Sequence, residues 1–201
     1  MVEQQRDEED LRVQRTKYIL REALAKLLEQ NELKDISIQQ ISKQAMTYRT
    51  TLYSHYSDKY DLLEDYLMDN WKKEMKLDRV QDLSKLREEY WEGIHDTVKF
   101  FKRYSKLFTQ LNESRPIITS RNLIYTTIKT SLELLLNAIQ PDDAKIRIAK
   151  DRISEFYTSG YLSVVLNWLK SKTKESIKSI TEDLFNMTFE NLYLLLNQSP
   201  S

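Results

Sequence analysis

The chain has no cysteine, only two histidines, two glycines and three prolines among 201 residues. Without cysteine there is no disulfide framework, no thiol nucleophile and no cysteine-based zinc site. The histidines offer little for acid–base or metal chemistry. His55 lies in a segment that reads as nucleic-acid contacting, and His95 has no second histidine at helical spacing and no carboxylate-rich cluster beside it. No Walker loop, Gly-x-Ser-x-Gly elbow or Gly-rich dinucleotide fingerprint occurs. So few turn residues exclude a sheet protein of this size and predict an all-α fold. No stretch approaches the roughly 20 apolar residues of a membrane span. The polar, acidic start, Met1–Asp10, does not read as a signal peptide. The expectation is a cytoplasmic, non-enzymatic helical protein with no cofactor, no metal and no membrane partner.

Charge is neutral overall, 31 basic against 31 acidic residues. Residues 11–59 nevertheless carry nine Lys/Arg against five Asp/Glu, a local excess of +4 that suits a phosphate-binding patch. About nine helices are predicted. The first spans about Asp10–Gln30, with Ile19, Ala23 and Leu27 in one row and Leu20, Leu24 and Leu28 beside it. Residues 1–10 read as a flexible tail or an extension of that helix. A second helix spans Ser37–Ala45, opening on a capping box of Ser37 and Gln40. A third spans Tyr48–Ser54 with Leu52 as its anchor. A fourth, capped by Ser57 or Asp58, runs toward Lys76. Longer helices follow at about Leu83–Tyr104, Lys106–Asn112, Ile117–Ile139, Asp142–Lys172 and Lys174–Asn197, with Pro116 and Pro141 marking two breaks.

The most informative stretch is Thr47-Tyr-Arg-Thr-Thr-Leu-Tyr-Ser-His-Tyr-Ser-Asp-Lys59. Two short helices joined by a tight turn, the second crowded with hydroxyls, one Arg and aromatic hydrogen-bonders, form the pattern of a helix-turn-helix DNA reader. Arg49 can pair bidentately with guanine, or it can meet a phosphate. Tyr48, Thr50 and Thr51 stand at the start of the recognition helix. Ser54 lies on the same helix. Tyr53, His55 and Lys59 suit phosphate oxygens, and Ser37 can donate to one or serve as a cap alone. Tyr56 is expected in the core.

These residues carry a resemblance. Arg15, Ile19, Ala23, Leu27, Ile36-Ser-Ile38, Ile41-Ser-Lys-Gln-Ala45, Leu52-Tyr-Ser-His-Tyr56, Asp58-Lys59 and Leu62-Leu63 resemble, in order and spacing, the TetR family of transcriptional regulators. The match covers about residues 12–70. It departs in the turn, where Met46 stands in place of a common Gly, and Tyr48 and Thr50 in place of frequent Ser and Gly. Met there must avoid or tolerate positive φ. The resemblance implies a helix-turn-helix domain over residues 11–72, with the motif at about 36–55, and a larger helical ligand-binding and dimerisation domain over 73–201. Phe100-Phe101, Phe108 and the run from Phe156 to Leu169 are similar, more loosely, to a branch that includes a coactivator of dihydroxyacetone use.

In that family the later helices enclose an inducer cavity, which implies lining residues among Trp91, His95, Phe101, Tyr104, Phe108, Tyr125, Phe156 and Tyr157. A packed core is the alternative for each. The last two helices are apolar enough to be shared between subunits, with Tyr161, Val164, Val165, Trp168, Leu184, Met187 and Leu192 as candidate interface. The expected function is a dimeric, sequence-specific regulator, a repressor whose affinity for an inverted-repeat operator in double-stranded DNA is changed by a small effector. The alternatives are an activator or coactivator controlled by a protein partner, and a helical interaction protein with a vestigial DNA reader.

Overall fold

The computed structural model describes residues 2–74, 85–114, 123–140, 148–171 and 175–192, the side chains of residues 2–10 and of Leu123 excepted. The described residues are all helical or connecting. Helix α1 is Val2–Leu28, α2 Ile38–Gln44, α3 Arg49–Tyr53, α4 Lys59–Glu74, α5 Leu86–Arg103, α6 Ser105–Ser114, α7 Leu123–Ile139, α8 Lys150–Lys170 and α9 Ile177–Phe185. A 3-10 turn at Leu33–Asp35 follows α1, and a π turn at Asn186–Glu190 follows α9. Pro116 and Pro141 lie outside the described residues. The chain divides into two compact units, Met1–Asn70 and Trp71–Ser201, with the division falling inside α4.

In the first unit, Leu20, Ala23 and Leu24 of α1 close on Leu33, Ile36, Ile41, Leu52, Leu62 and Leu63, all buried. Ile19, expected in the core row, is 39% exposed, so the buried stripe of α1 is centred one residue later. Helix α1 starts well before Asp10, taking the acidic segment into the helix.

The caps explain where the short helices stop. Ser37 accepts from the Gln40 amide at 3.2 Å while the Ser37 amide donates to Gln40 Oε1 at 2.8 Å, closing the expected capping box. At the other end of α2, Met46 adopts φ 53°, the left-handed region. The Thr47 amide donates to Ser42 O at 2.9 Å and the Met46 amide to Lys43 O at 3.2 Å, which is the Schellman closure. Helix α4 starts on Asp58, whose Oδ1 accepts from the amides of Tyr60 and Asp61.

The second unit is built on two well-packed helix pairs, α7 with α8 and α5 with α9. Trp71 packs edge-on against Phe100, with centroids 5.1 Å apart, and Phe101 stacks on Phe108 at 4.3 Å. The last helix departs from the expected uninterrupted span. Its first α-helical part stops at Phe185, and the wider π turn that follows carries Phe189 into a stack on Phe185, with centroids 5.1 Å apart and planes 11° from parallel.

Candidate nucleic-acid interface

Helix α3 is five residues long and is held by one fully buried side chain, Leu52. A helix this short has no intrinsic stability and exists because of what anchors it. With Leu52 pointing inward, Arg49, Thr50, Tyr53 and Ser54 are exposed and Thr51 half-buried. Tyr48, the residue before the helix, is 81% exposed and Tyr53 56%. Met46 at the tip of the turn is 96% exposed. Arg49 makes no ion pair or hydrogen bond among the described residues. Ser54 donates to Thr51 O at 2.8 Å, which occupies its proton within the helix. His55 is half-buried, edge-on to the Tyr56 ring.

Two of the sequence-derived contacts are reassigned by this geometry. Lys59 Nζ donates to Leu33 O at 2.7 Å, Ile36 O at 2.8 Å and Lys34 O at 3.0 Å. All three of its protons are spent on the carbonyls around the 3-10 turn, so it clamps the entry to α2 and has none left for a phosphate. Ser37 likewise donates its hydroxyl proton to Gln40 Oε1 at 2.7 Å and serves as a cap. Tyr48, Arg49, Thr50, Thr51, Tyr53, Ser54 and His55 remain together on and around α3.

Sequence reasoning missed the scaffold behind α3. Arg21 of α1 forks between two carboxylates one turn apart on α4, reaching Asp65 at 2.9 Å and Asp69 at 3.2 Å. Tyr56, 5% exposed and two residues after Ser54, the C-cap of α3, donates its hydroxyl to the same Asp65 oxygen at 2.6 Å. Burial and the carboxylate together push the Tyr56 phenol well above its ordinary range, so it stays a donor at any physiological pH. The signal in the sequence is an arginine inside an apolar stripe together with aspartates four residues apart.

The candidate cavity residues are placed in several local contacts. Trp91 stacks on His95 at 5.0 Å, and His95 Nδ1 lies 3.3 Å from Thr181 Oγ1. Phe101 and Phe108 are fully buried against each other, as core. Tyr104 donates to Glu74 at 3.3 Å. Tyr125 is 3% exposed, with its hydroxyl 3.4 Å from Ser159 Oγ on α8. Tyr157 is half-buried, whereas Phe156 is 75% exposed and faces solvent, not an interior. Of the candidate interface residues, Tyr161, Val165, Trp168, Leu184 and Leu192 are buried within the single chain, where these faces of α8 and of the last helical segments pack into its core. Met187 stays half exposed and Val164 half-buried.

A different surface of the second unit is uncovered. The exposed residues of α7 are Thr126, Thr130, Ser131, Leu134 and Asn137, none of them charged. Its two charged residues turn toward α8, where Lys129 pairs with Asp151 and Glu133 accepts from Ser154. On α8 the exposed Phe156 stands one turn from Gly160, where a Cβ would meet nothing within 4 Å. Among the described residues no helix is long and apolar enough to cross a membrane, and no group of acidic or histidine side chains could hold a metal ion.

Comparison with known proteins bears on the second unit. Residues 88–190 match the family model TetR_C_8, described as a transcriptional regulator C-terminal region. No curated protein matches the chain. Among solved structures, that of apo AibR is similar over 86% of this chain and 97% of its own, at 21% identity and a TM-score of 0.47. The family is one of transcription factors and not of enzymes. Spanning just over half of the sequence, the family match identifies the chain as a member of the TetR family of transcriptional regulators.

Proposed function

We propose that the chain is a homodimeric, sequence-specific DNA-binding regulator, acting in the cytoplasm as a repressor whose operator affinity is changed by a small effector. The observation that carries this reading is α3 itself, a short helix whose buried side chain is Leu52, with Arg49 unpaired among the described residues beside exposed Tyr48 and Tyr53. Arg49 reads a guanine edge, Thr50 and Thr51 meet bases or phosphates, and Tyr48, Tyr53 and His55 grip the backbone. Lys59 and Ser37 support the motif from behind without touching DNA. The test is fluorescence anisotropy on a selected duplex across salt concentrations. Arg49→Ala should lose about tenfold or more in preference for that duplex over random DNA, the loss of one bidentate base contact. Equal preference in wild type and variant would argue against base reading.

Two copies would place two α3 helices in successive major grooves, roughly 34–36 Å apart. The uncharged face of α7 with Phe156 of α8 supports the dimer contact better than the buried faces first expected, since interface cores are depleted in charge. An effector that prefers a differently spaced state draws the population away from DNA. It does so only through a difference in affinity between the two states. Membership of the branch similar to regulators of dihydroxyacetone metabolism belongs with this proposal and rests on the Phe156–Leu169 run and the aromatics at Phe100, Phe101 and Phe108.

A further inference from the structure

Helix α3 needs something besides Leu52 to hold its angle, and the first unit contains a connected set of side chains that can do this. Asp65 Oδ2 is shared. It accepts from Tyr56, at the end of the recognition segment, at 2.6 Å and from Arg21 of α1 at 2.9 Å. The second Arg21 nitrogen reaches Asp69, one turn along α4, at 3.2 Å. The carboxylates are only about a quarter exposed, at 27% and 26%, and the guanidinium 16%. Charge-assisted hydrogen bonds in such partly dry surroundings are short and directional. Lys17 of α1 lies over the Tyr56 ring, 5.7 Å from its centroid, so the ring is held on its face as well as at its hydroxyl.

From this geometry we infer that Asp65 is a positioning residue for DNA reading, fixing the recognition helix to α4 through the Tyr56 hydroxyl while Arg21 fixes α4 to α1. The inference rests on the proposed role of α3 as the DNA reader and adds the part that sets its orientation. The bidentate grip of Arg21 on positions 65 and 69 resists sliding of α4 along α1. The single Tyr56 bond transmits any rotation of Asp65 to the end of α3. A displacement of α4 that left the fold intact would therefore retilt the reader.

The test compares Tyr56→Phe, Asp65→Ala and Asp65→Asn in the full chain. Asparagine keeps an oxygen to accept from Tyr56, so Asp65→Asn is the rescue variant. The first readout needs no DNA. It is amide exchange at Ser54, His55 and Tyr56, whose N–H groups bond to Thr50 O, Leu52 O and Leu52 O in the native turn. Tyr56→Phe and Asp65→Ala should speed exchange at these amides about tenfold, the opening expected when a hydrogen bond to a carboxylate is lost, with Asp65→Asn close to wild type. The second readout is preference for a selected duplex over random DNA, which should fall in the same two variants while non-specific affinity holds. Unchanged exchange at all three amides in folded Tyr56→Phe overturns the inference. So does faster exchange with undiminished preference. A wild-type chain with no sequence preference contradicts the DNA-reading proposal and any role of Asp65 in it, and the wild-type binding measurement shows this independently of the exchange result.

Discussion

At Met46 the chain uses a left-handed backbone with a side chain that does not favour it. A non-glycine residue at positive φ costs on the order of 1–2 kcal/mol. Met46 can remain because the Schellman hydrogen bonds of Thr47 and Met46 over-determine the turn, and because its side chain clashes with nothing at 96% exposure. Met46→Gly should therefore raise unfolding stability by about 1 kcal/mol, read as a shift in denaturant midpoint at unchanged slope. Loss of stability would show that Met46 contributes packing that its exposure does not reveal. Lys59 is the opposite case. Its ammonium neutralises the carbonyl dipoles at Leu33, Lys34 and Ile36, and Lys59→Met should cost about 2 kcal/mol of stability. The salt slope of DNA binding should stay the same, since no phosphate contact is removed. A slope shallower by about one, with stability intact, would return Lys59 to the DNA face. Ser37→Ala should cost about 1 kcal/mol as an ordinary N-cap loss.

At the level of helices, the parts legible in the sequence are those fixed locally. The capping box at Ser37, the anchor Leu52, the burial of Tyr56 and the outward set Tyr48, Arg49, Thr50 and Tyr53 follow from caps and 3.6-residue spacing. What spacing could not decide is which neighbour a helix face meets. Helix α8 is amphipathic in a broad way, so its apolar face could serve a second subunit or its own core, and Tyr161, Val165 and Trp168 chose the core. The reach of Lys59 across 23 to 26 residues, and of Arg21 across 44, is equally invisible to periodicity. The π turn after α9 has no periodic signature either. The uncharged α7 face and Phe156 then give a prediction that belongs to elements. Phe156→Asp should leave the unfolding midpoint within about 0.5 kcal/mol of wild type, as an exposed substitution does. It should also shift sedimentation from dimer to monomer. A dimer that survives the substitution would move the interface elsewhere.

For the whole molecule, charge balance matters more than any single contact. With 31 charges of each sign the chain is not drawn to DNA by net charge. On the proposed function, its affinity comes from the local excess over residues 11–59 and from two readers presented together. On that proposal neutral composition is compatible with DNA binding, and reading depends on dimerisation. The family match, over residues 88–190, lies in the second unit, whereas the candidate reader lies in the first. The most direct measurement is therefore one that the first unit must pass on its own chemistry. It is in vitro selection from a random duplex library with the purified chain, run beside an Arg49→Ala/Tyr53→Ala double variant. The account predicts an enriched inverted repeat with half-sites about one helical turn apart, lost in the variant. A folded, dimeric wild-type chain that enriches no sequence, or a variant that enriches the same one, would contradict it.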